Sequence, residues 1–320
     1  MSLPESFHGR LRLPLIAAPM FLVSGPQLVT ETCKAGVIGT FPALNQRSSE
    51  GFEQWLEEIN AALQDHTQTT GVAAAPFGVN LIVHPTNPRL KADLMLCVKH
   101  QVPLVITSLG AVKEVVDAVH SYGGLVFHDV TNLRHAKKAA AAGVDGLIAV
   151  CGGAGGHAGT LSPFALINEI RQFFDGVVIL SGSLSSGQDL AAARMLGADL
   201  GYMGTRFINT RESMASDDYK DMIIGSSASD IVYTPKVSGI PASFMRQSLE
   251  AAGLLDTEHN ASKPMDLSDE AKAWKTVWSA GQGVGSIEDV PSTAELVARL
   301  KQEYTEAGQQ FAADSATYLD

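Results

Sequence analysis

Cysteine is scarce and scattered in this chain of 320 residues: Cys33, Cys97 and Cys151 stand far apart and form no CxxC pair. That spacing excludes a disulfide framework and gives no zinc-site pattern. Basic residues are outnumbered as well, 23 Lys and Arg against 34 Asp and Glu, for a formal net charge of -11. Nucleic-acid binders concentrate Lys and Arg to displace counterions, so no nucleic-acid partner is expected. An anionic small ligand held by backbone amides remains compatible with that charge. No apolar run approaches the ~18 residues of a membrane span, and Met1 to Arg10 lacks the basic-then-apolar layout of a signal peptide. A cytoplasmic protein without membrane contact is the expectation. What the chain does have is 45% apolar and 18% charged residues, the composition of a globular enzyme with a large core. Its length suits one large α/β barrel or two ordinary domains.

The most informative stretch runs from Ala149 to Thr160. An apolar strand breaks into Gly152, Gly153, Gly155 and Gly156, presents His157, and passes through Ser162-Pro163 into an amphipathic segment from Phe164 to Phe174. Strand, glycine loop and helix together make a ligand turn, because glycines let a flat or anionic ligand approach backbone N–H groups. A histidine has an unperturbed pKa of about 6.5 and can exchange a proton near neutral pH. A lone loop histidine more often caps a carbonyl or faces solvent, but the surrounding glycines favour a chemical role for His157. Cys151 reads as a buried strand-end thiol rather than a nucleophile.

Elsewhere short apolar runs alternate with helical periodicity. The apolar runs are 13–20, 37–44, 77–83, 103–109, 124–130, 146–151, 177–180 and 200–207. Eight all-apolar strands separated by helices predict a parallel sheet covered on both faces, hence an α/β (β/α)8 TIM barrel, with an open doubly wound sheet as its rival. The pattern stops after Phe207. Residues 209–285 read as an inserted, mainly helical cap over the catalytic face, with helix-like fragments at Ser243 to Ala252 and Asp269 to Trp278. Pro291-Ser292 with Glu295 opens an amphipathic helix from Thr293 to Tyr304 that supplies the eighth barrel helix. The barrel thus comprises 1–208 and 286–320.

Barrel active sites form at the C-terminal ends of the strands, and loops after strands seven and eight commonly bind phosphate. Ser181-Gly182-Ser183 and Gly204-Thr205-Arg206 occupy those positions. Ala18-Pro19-Met20 after strand one offers amides and an apolar surface, and Asn80 in Phe77-Gly78-Val79-Asn80 offers an amide side chain, a combination suited to a flat heterocycle. Asn80 as a plain turn residue and Asp129 of His128-Asp129 as a salt-linked structural group are the competing readings.

In their order and spacing, the Pro19-Met20 turn, Phe77 to Asn80, Gly155-Gly156-His157, Ser181-Gly182 and Met203-Gly204-Thr205-Arg206-Phe207 resemble the nitronate monooxygenase family. The resemblance covers Leu13 to Phe207 and resumes at Trp278 to Gln282. It implies an FMN-dependent enzyme that oxidises alkyl nitronates or propionate 3-nitronate with O2 to carbonyl compounds and nitrite. His157 matches the family's catalytic histidine. Ala18, Pro19, Met20, Asn80 and Asp129 would lie about the flavin ring, with Gln282 reaching it from the cap. Gly155 and Gly156 would allow close approach, and Ser181, Gly182, Ser183, Gly204 and Thr205 would hold the phosphate. Asp129 stands where some relatives carry lysine, and Ser183 where many carry glycine. An FMN-dependent NAD(P)H:quinone or enoyl-thioester reductase of the same superfamily shares these motifs, and a flavin-free barrel lyase or isomerase is a third reading. The cap has too little pattern to fix substrate contacts beyond naming Tyr233, Lys236 and Phe244, and a homodimer contact through it stays open.

Overall fold

The computed structural model describes residues 3–110, 113–237, 239–255 and 275–318. In chain order its first nine strands are β1 (Leu15–Ala17), β2 (Ile38–Pro42), β3 (Phe77–Ile82), β4 (Leu104–Ser108), β5 (Leu125–Val130), β6 (Gly146–Val150), β7 (Gly156–His157), β8 (Val177–Ser181) and β9 (Leu200–Met203). All of these except β7 run parallel and close into an eight-stranded barrel. Closure removes the open-sheet alternative. β1 pairs on one side with β2, Ile16 opposite Ile38, and on the other with β9, Leu15 opposite Gly201. Strands such as β2, β6 and β8 are buried at every residue, because one face fills the barrel and the other meets helices. Ile16, Ile38, Leu104, Ile106, Phe127, Ile148 and Ile179 belong to the interior cluster, and Phe7 joins it edge-on against Phe127.

The outer layer comprises α1 (Pro26–Lys34), α2 (Ser49–Thr70), α3 (Leu90–Lys99), α4 (Lys113–His120), α5 (Leu133–Ala141), α6 (Pro163–Arg171) and α7 (Gly187–Met195). Next come α8 (Thr205–Ile208), α9 (Asp217–Ile224) and α10 (Arg246–Ala251), and the chain ends in α11 (Thr293–Ala316). α11 packs against α7 and α1, the place of an eighth barrel helix. Gly187 at the start of α7 permits that approach, since a Cβ there would lie 2.1 Å from Leu300 O. α11 begins with the expected capping box: Ser292 Oγ accepts from Glu295 N–H, and the Glu295 carboxylate accepts from Ser292 N–H. Among the described residues, no helix is long and apolar enough to cross a membrane.

The segment after α8 carries strands as well as helices. β10 (Ile231–Thr234) and β11 (Ala242–Met245) pair antiparallel, and β11 also pairs with β7, the two-residue strand within the glycine loop. The fragment expected to be helical from Ser243 to Ala252 therefore begins as a strand. Most of the other fragment, Asp269 to Trp278, lies outside the described residues.

Candidate active site

The loops at the C-terminal strand ends enclose a cavity of about 1130 Å³. Single-ligand pockets span roughly 300–1,000 Å³, so this one has room for a cofactor-sized group and a second small molecule. Ala18, Pro19, Met20, Asn80, Asp129, Gly155, Gly156, His157, Ser181, Gly182, Ser183, Gly204 and Thr205 all line it. Gln282 does not. It is exposed, and its N–H donates to Gly153 O at 2.8 Å, while its neighbours Gly281 and Gly283 face the cavity. The segment clasps the glycine loop through its backbone, and Gln282 Oε1 lies 3.0 Å from where a Cβ on the cavity-lining Gly153 would stand.

The loop after β1 is tied by Asn45, a residue the sequence did not single out. Its amide donates to Met20 O and Ser24 O, and its Oδ1 accepts from Leu22 N–H at 2.9 Å. Leu22 there has φ 60, and Leu109 and Ser183, after β4 and β8, have φ 65 and 56. Such non-glycine strain persists only where the surroundings hold it. These three residues all lie on the catalytic face.

Around Ser183 the backbones meet closely. Gly182 has φ 130, and a Cβ on Gly153 would come within 2.2 Å of Ser183 Oγ. A Cβ on Gly281 would lie 2.8 Å from Gly153 O, and Gly281 N–H donates to Thr205 Oγ1 at 2.9 Å. The glycine loop, the loop after β8, Thr205 and the 280–283 segment thus form one small-residue cradle. Ser185 lies in its wall, with a buried Oγ that has no hydrogen-bond partner among the described residues. Leaving a buried hydroxyl unpaired costs about 1–3 kcal/mol, and an anion in the cradle would remove that cost. Nothing about Ser185 stands out in sequence, four positions beyond the strand.

His157 owes its place to the segment after α8. Its strand β7 lies against β11 with His157 opposite Ala242. Gly156 N–H donates to Ser279 Oγ at 2.7 Å, and that hydroxyl donates to Ser243 O. Tyr219 OH donates to Ser279 O, and the Tyr219 ring stacks on Trp278. On the far side Tyr233 OH donates to Ala158 O at 2.9 Å. Tyr233 also lines the cavity, whereas Phe244 is buried and Lys236 Nζ donates to Leu255 O.

A polar chain crosses the barrel mouth. Asn80 Nδ2 donates to Ser108 Oγ at 2.7 Å, and Ser108 Oγ donates to Asp129 Oδ2 at 2.5 Å. Asp129 Oδ1 is buried without a hydrogen-bond partner among the described residues, and Asp129 forms no salt bridge there. The salt-linked reading of Asp129 is replaced by this chain. Burial pushes the Asp129 carboxyl up to about 6, against the opposing pull of the Ser108 hydrogen bond and of His157. Burial likewise raises the Tyr202 phenol, and the charge of Asp129 adds to it. His128 turns to Thr107, with Nδ1 and Oγ1 2.8 Å apart, and burial holds its imidazole down to about 4.

The raised Asp129 value predicts a pH-dependent stability. The folded state holds this proton more tightly than the unfolded chain, so the contribution is full below the unfolded value of about 3.9 and is lost as pH rises through about 6. Asn at this position can still accept from Ser108 but does not ionise. Asp129→Asn should therefore gain about 2 kcal/mol over the wild type between about pH 4.5 and pH 8, read by urea unfolding at both. A difference that does not change with pH would contradict the environment described for Asp129.

A closed eight-stranded barrel with a histidine and a small-residue cradle lining one cavity at its C-terminal mouth has the architecture of an α/β-barrel enzyme. The family model for nitronate monooxygenase matches residues 7–303, and the chain belongs to that family, which makes it an oxidoreductase. Nitronate monooxygenase of Paraburkholderia phytofirmans is 26% identical over 355 aligned positions, covering 93% of each chain. A 5-hydroxy-7a-methyl-1-oxo-octahydro-1H-indene-4-carboxyl-CoA dehydrogenase of Rhodococcus jostii is 29% identical over 78% of this chain and 69% of its own length. Among solved structures, nitroalkane oxidase from Streptomyces ansochromogenes superposes with a TM-score of 0.81 at 24% identity, covering 96% of this chain and all of its own. FabK from Thermotoga maritima gives 0.79 at 23%, over 95% and 96% of the two chains. These two likenesses are of fold.

Proposed function

We propose that the protein is an FMN-dependent nitronate monooxygenase acting on small alkyl nitronates or propionate 3-nitronate. The observation that carries this reading is that His157 opens onto the same cavity as the anion cradle and the Asn80–Ser108–Asp129 chain. Full-length similarity to proteins named nitronate monooxygenase supports it.

The residues present fit the cofactor. The glycines let these loops pack closely, where side chains would collide, and Ser185 Oγ is a buried donor in need of an acceptor at the cavity wall. Gly182, Ser183, Ser185, Gly204 and Thr205 would hold the phosphate, with Ala18 to Met20 and Asn80 against the ring. When bound, FMN supplies the redox centre that accepts electrons from the substrate. His157 takes the proton from the carbon beside a nitro group, or orients a nitronate already ionised. Asp129, through Ser108, fixes the Asn80 amide, and its carboxyl lies close enough to His157 for the two to interact electrostatically. The segment carrying Tyr219, Tyr233 and Ser279 fixes the histidine loop and covers the cavity, limiting water.

Stoichiometry tests the reading. Supplying a nitronate and O2 should release nitrite and a carbonyl compound in equal amounts. Oxygen uptake without nitrite would refute it.

A further inference from the structure

Tyr202 belongs neither to the small-residue cradle nor to the hydrogen bonds that hold the His157 loop. It lies on β9, is only 8% exposed, and lines the cavity. Leu200 and Tyr202 are both members of the interior cluster, as is Phe127, which precedes Asp129 by two positions on β5. Side chains alternate along a strand, so Tyr202 and Asp129 both project inward, in the layer that floors the cavity.

The phenol oxygen of Tyr202 makes no hydrogen bond among the described residues. Buried tyrosines usually give the O–H a partner, because an unpaired buried hydroxyl is costly. Burial raises this phenol well above its ordinary value and the charge of Asp129 raises it further, so it stays protonated and acts as a donor. The influence of Asp129 also gives direction. β6 and β8 stand between β5 and β9 in the barrel wall, so a phenol that senses Asp129 reaches across the mouth rather than back toward the cradle beside β8.

Asn80 supplies the complement. Its Nδ2 donates to Ile106 O at 3.3 Å and to Ser108 Oγ at 2.7 Å, which leaves the acceptor Oδ1 for a ligand. Ser108 ties this amide to Asp129, so the free donor and the free acceptor are gathered about one carboxyl. A matching ligand carries an acceptor and an N–H at one polar end. The pyrimidine ring of FMN has both, carbonyl oxygens flanking an N–H, whereas its dimethylbenzene ring has neither.

We propose that Tyr202 is a further cofactor-binding residue, whose phenolic O–H donates to a carbonyl oxygen of the flavin's pyrimidine ring on the cavity floor. The inference rests on the FMN reading and orients the ring within it, polar end toward Tyr202 and Asn80.

Tyr202→Phe tests it, since the change removes one oxygen and keeps the ring that fills the floor. In thermal unfolding the FMN-free variant should be at least as stable as FMN-free wild type, because the lost hydroxyl had no protein partner. FMN titrated into the two proteins should bind the variant about three- to tenfold more weakly, and the stabilisation on adding FMN should shrink with it. A carbonyl that gains electron density on reduction accepts more strongly, so the variant's flavin should also have a lower reduction potential. Each further tenfold loss of affinity in the reduced form lowers it by about 30 mV. A destabilised FMN-free variant with unchanged FMN affinity and potential would make Tyr202 a packing residue and overturn the proposal, as would unchanged values throughout. Unchanged FMN binding with a raised KM for the nitronate would set the hydroxyl against substrate and overturn it too. Wild-type protein that takes up no FMN would remove the FMN reading and this proposal together, a result that the wild-type titration gives separately from the comparison with the variant.

Discussion

His157→Asn should lower activity toward neutral nitroalkanes by about 10²-fold or more while retaining FMN, because asparagine cannot take a proton near neutral pH. The same variant should act on pre-ionised nitronates with a much smaller loss, since the proton is already gone. Steady-state oxygen uptake with the two forms of one substrate gives both numbers. The backbone of this loop is held by Ser279, Ser243 and Tyr233, so the substitution should leave the cavity intact. Wild-type rates on the neutral substrate would remove His157 from the chemistry. Equal losses on both forms would assign it to binding instead.

Gly182→Asp should yield protein with less than about a tenth of the wild-type flavin content, by charge repulsion at the proposed phosphate position. Geometry adds to charge. Gly182 has φ 130, where a side chain is strained, and a Cβ there would lie 3.1 Å from Gly152 O and 3.4 Å from Ala154 N. Ser183→Gly supplies the contrast: it removes one hydroxyl but relaxes a residue already at φ 56 and adds no charge, so its loss of flavin should be far smaller than that of Gly182→Asp. Flavin absorbance per protein, with thermal unfolding as a check on folding, measures the effect. Full flavin content in Gly182→Asp would mean that the phosphate lies elsewhere.

The barrel was legible because each of its strands is buried on both faces and reads as an unbroken apolar run, and because Ser292 and Glu295 mark the start of the last helix. The C-terminal strand ends were legible for a related reason: glycines, small hydroxyls and one histidine interrupt apolar runs where chemistry needs them. What stayed hidden depends on partners distant in sequence. β10 and β11 extend across Gly156–His157, so the residues from Ser243 read as a helix until that pairing is known. Asn45 and Ser185 act through atoms that face other loops, and no local pattern distinguishes them. The place of Gln282 in a motif did not reveal that its backbone N–H ties the segment to Gly153, nor that the adjoining Gly281 and Gly283 line the cavity. The competing salt-linked reading of Asp129 gives way to a hydrogen bond from Ser108, on the neighbouring strand.

The central claim is that this cavity holds a flavin that a nitronate reduces. An anaerobic visible spectrum of the purified protein, before and after adding a nitronate, tests it most directly. Flavin bands at the start, and their change on adding the nitronate, are the expected result. A colourless protein that does not take up added FMN, or flavin bands that a nitronate leaves unchanged while NADH or NADPH bleaches them, would contradict it.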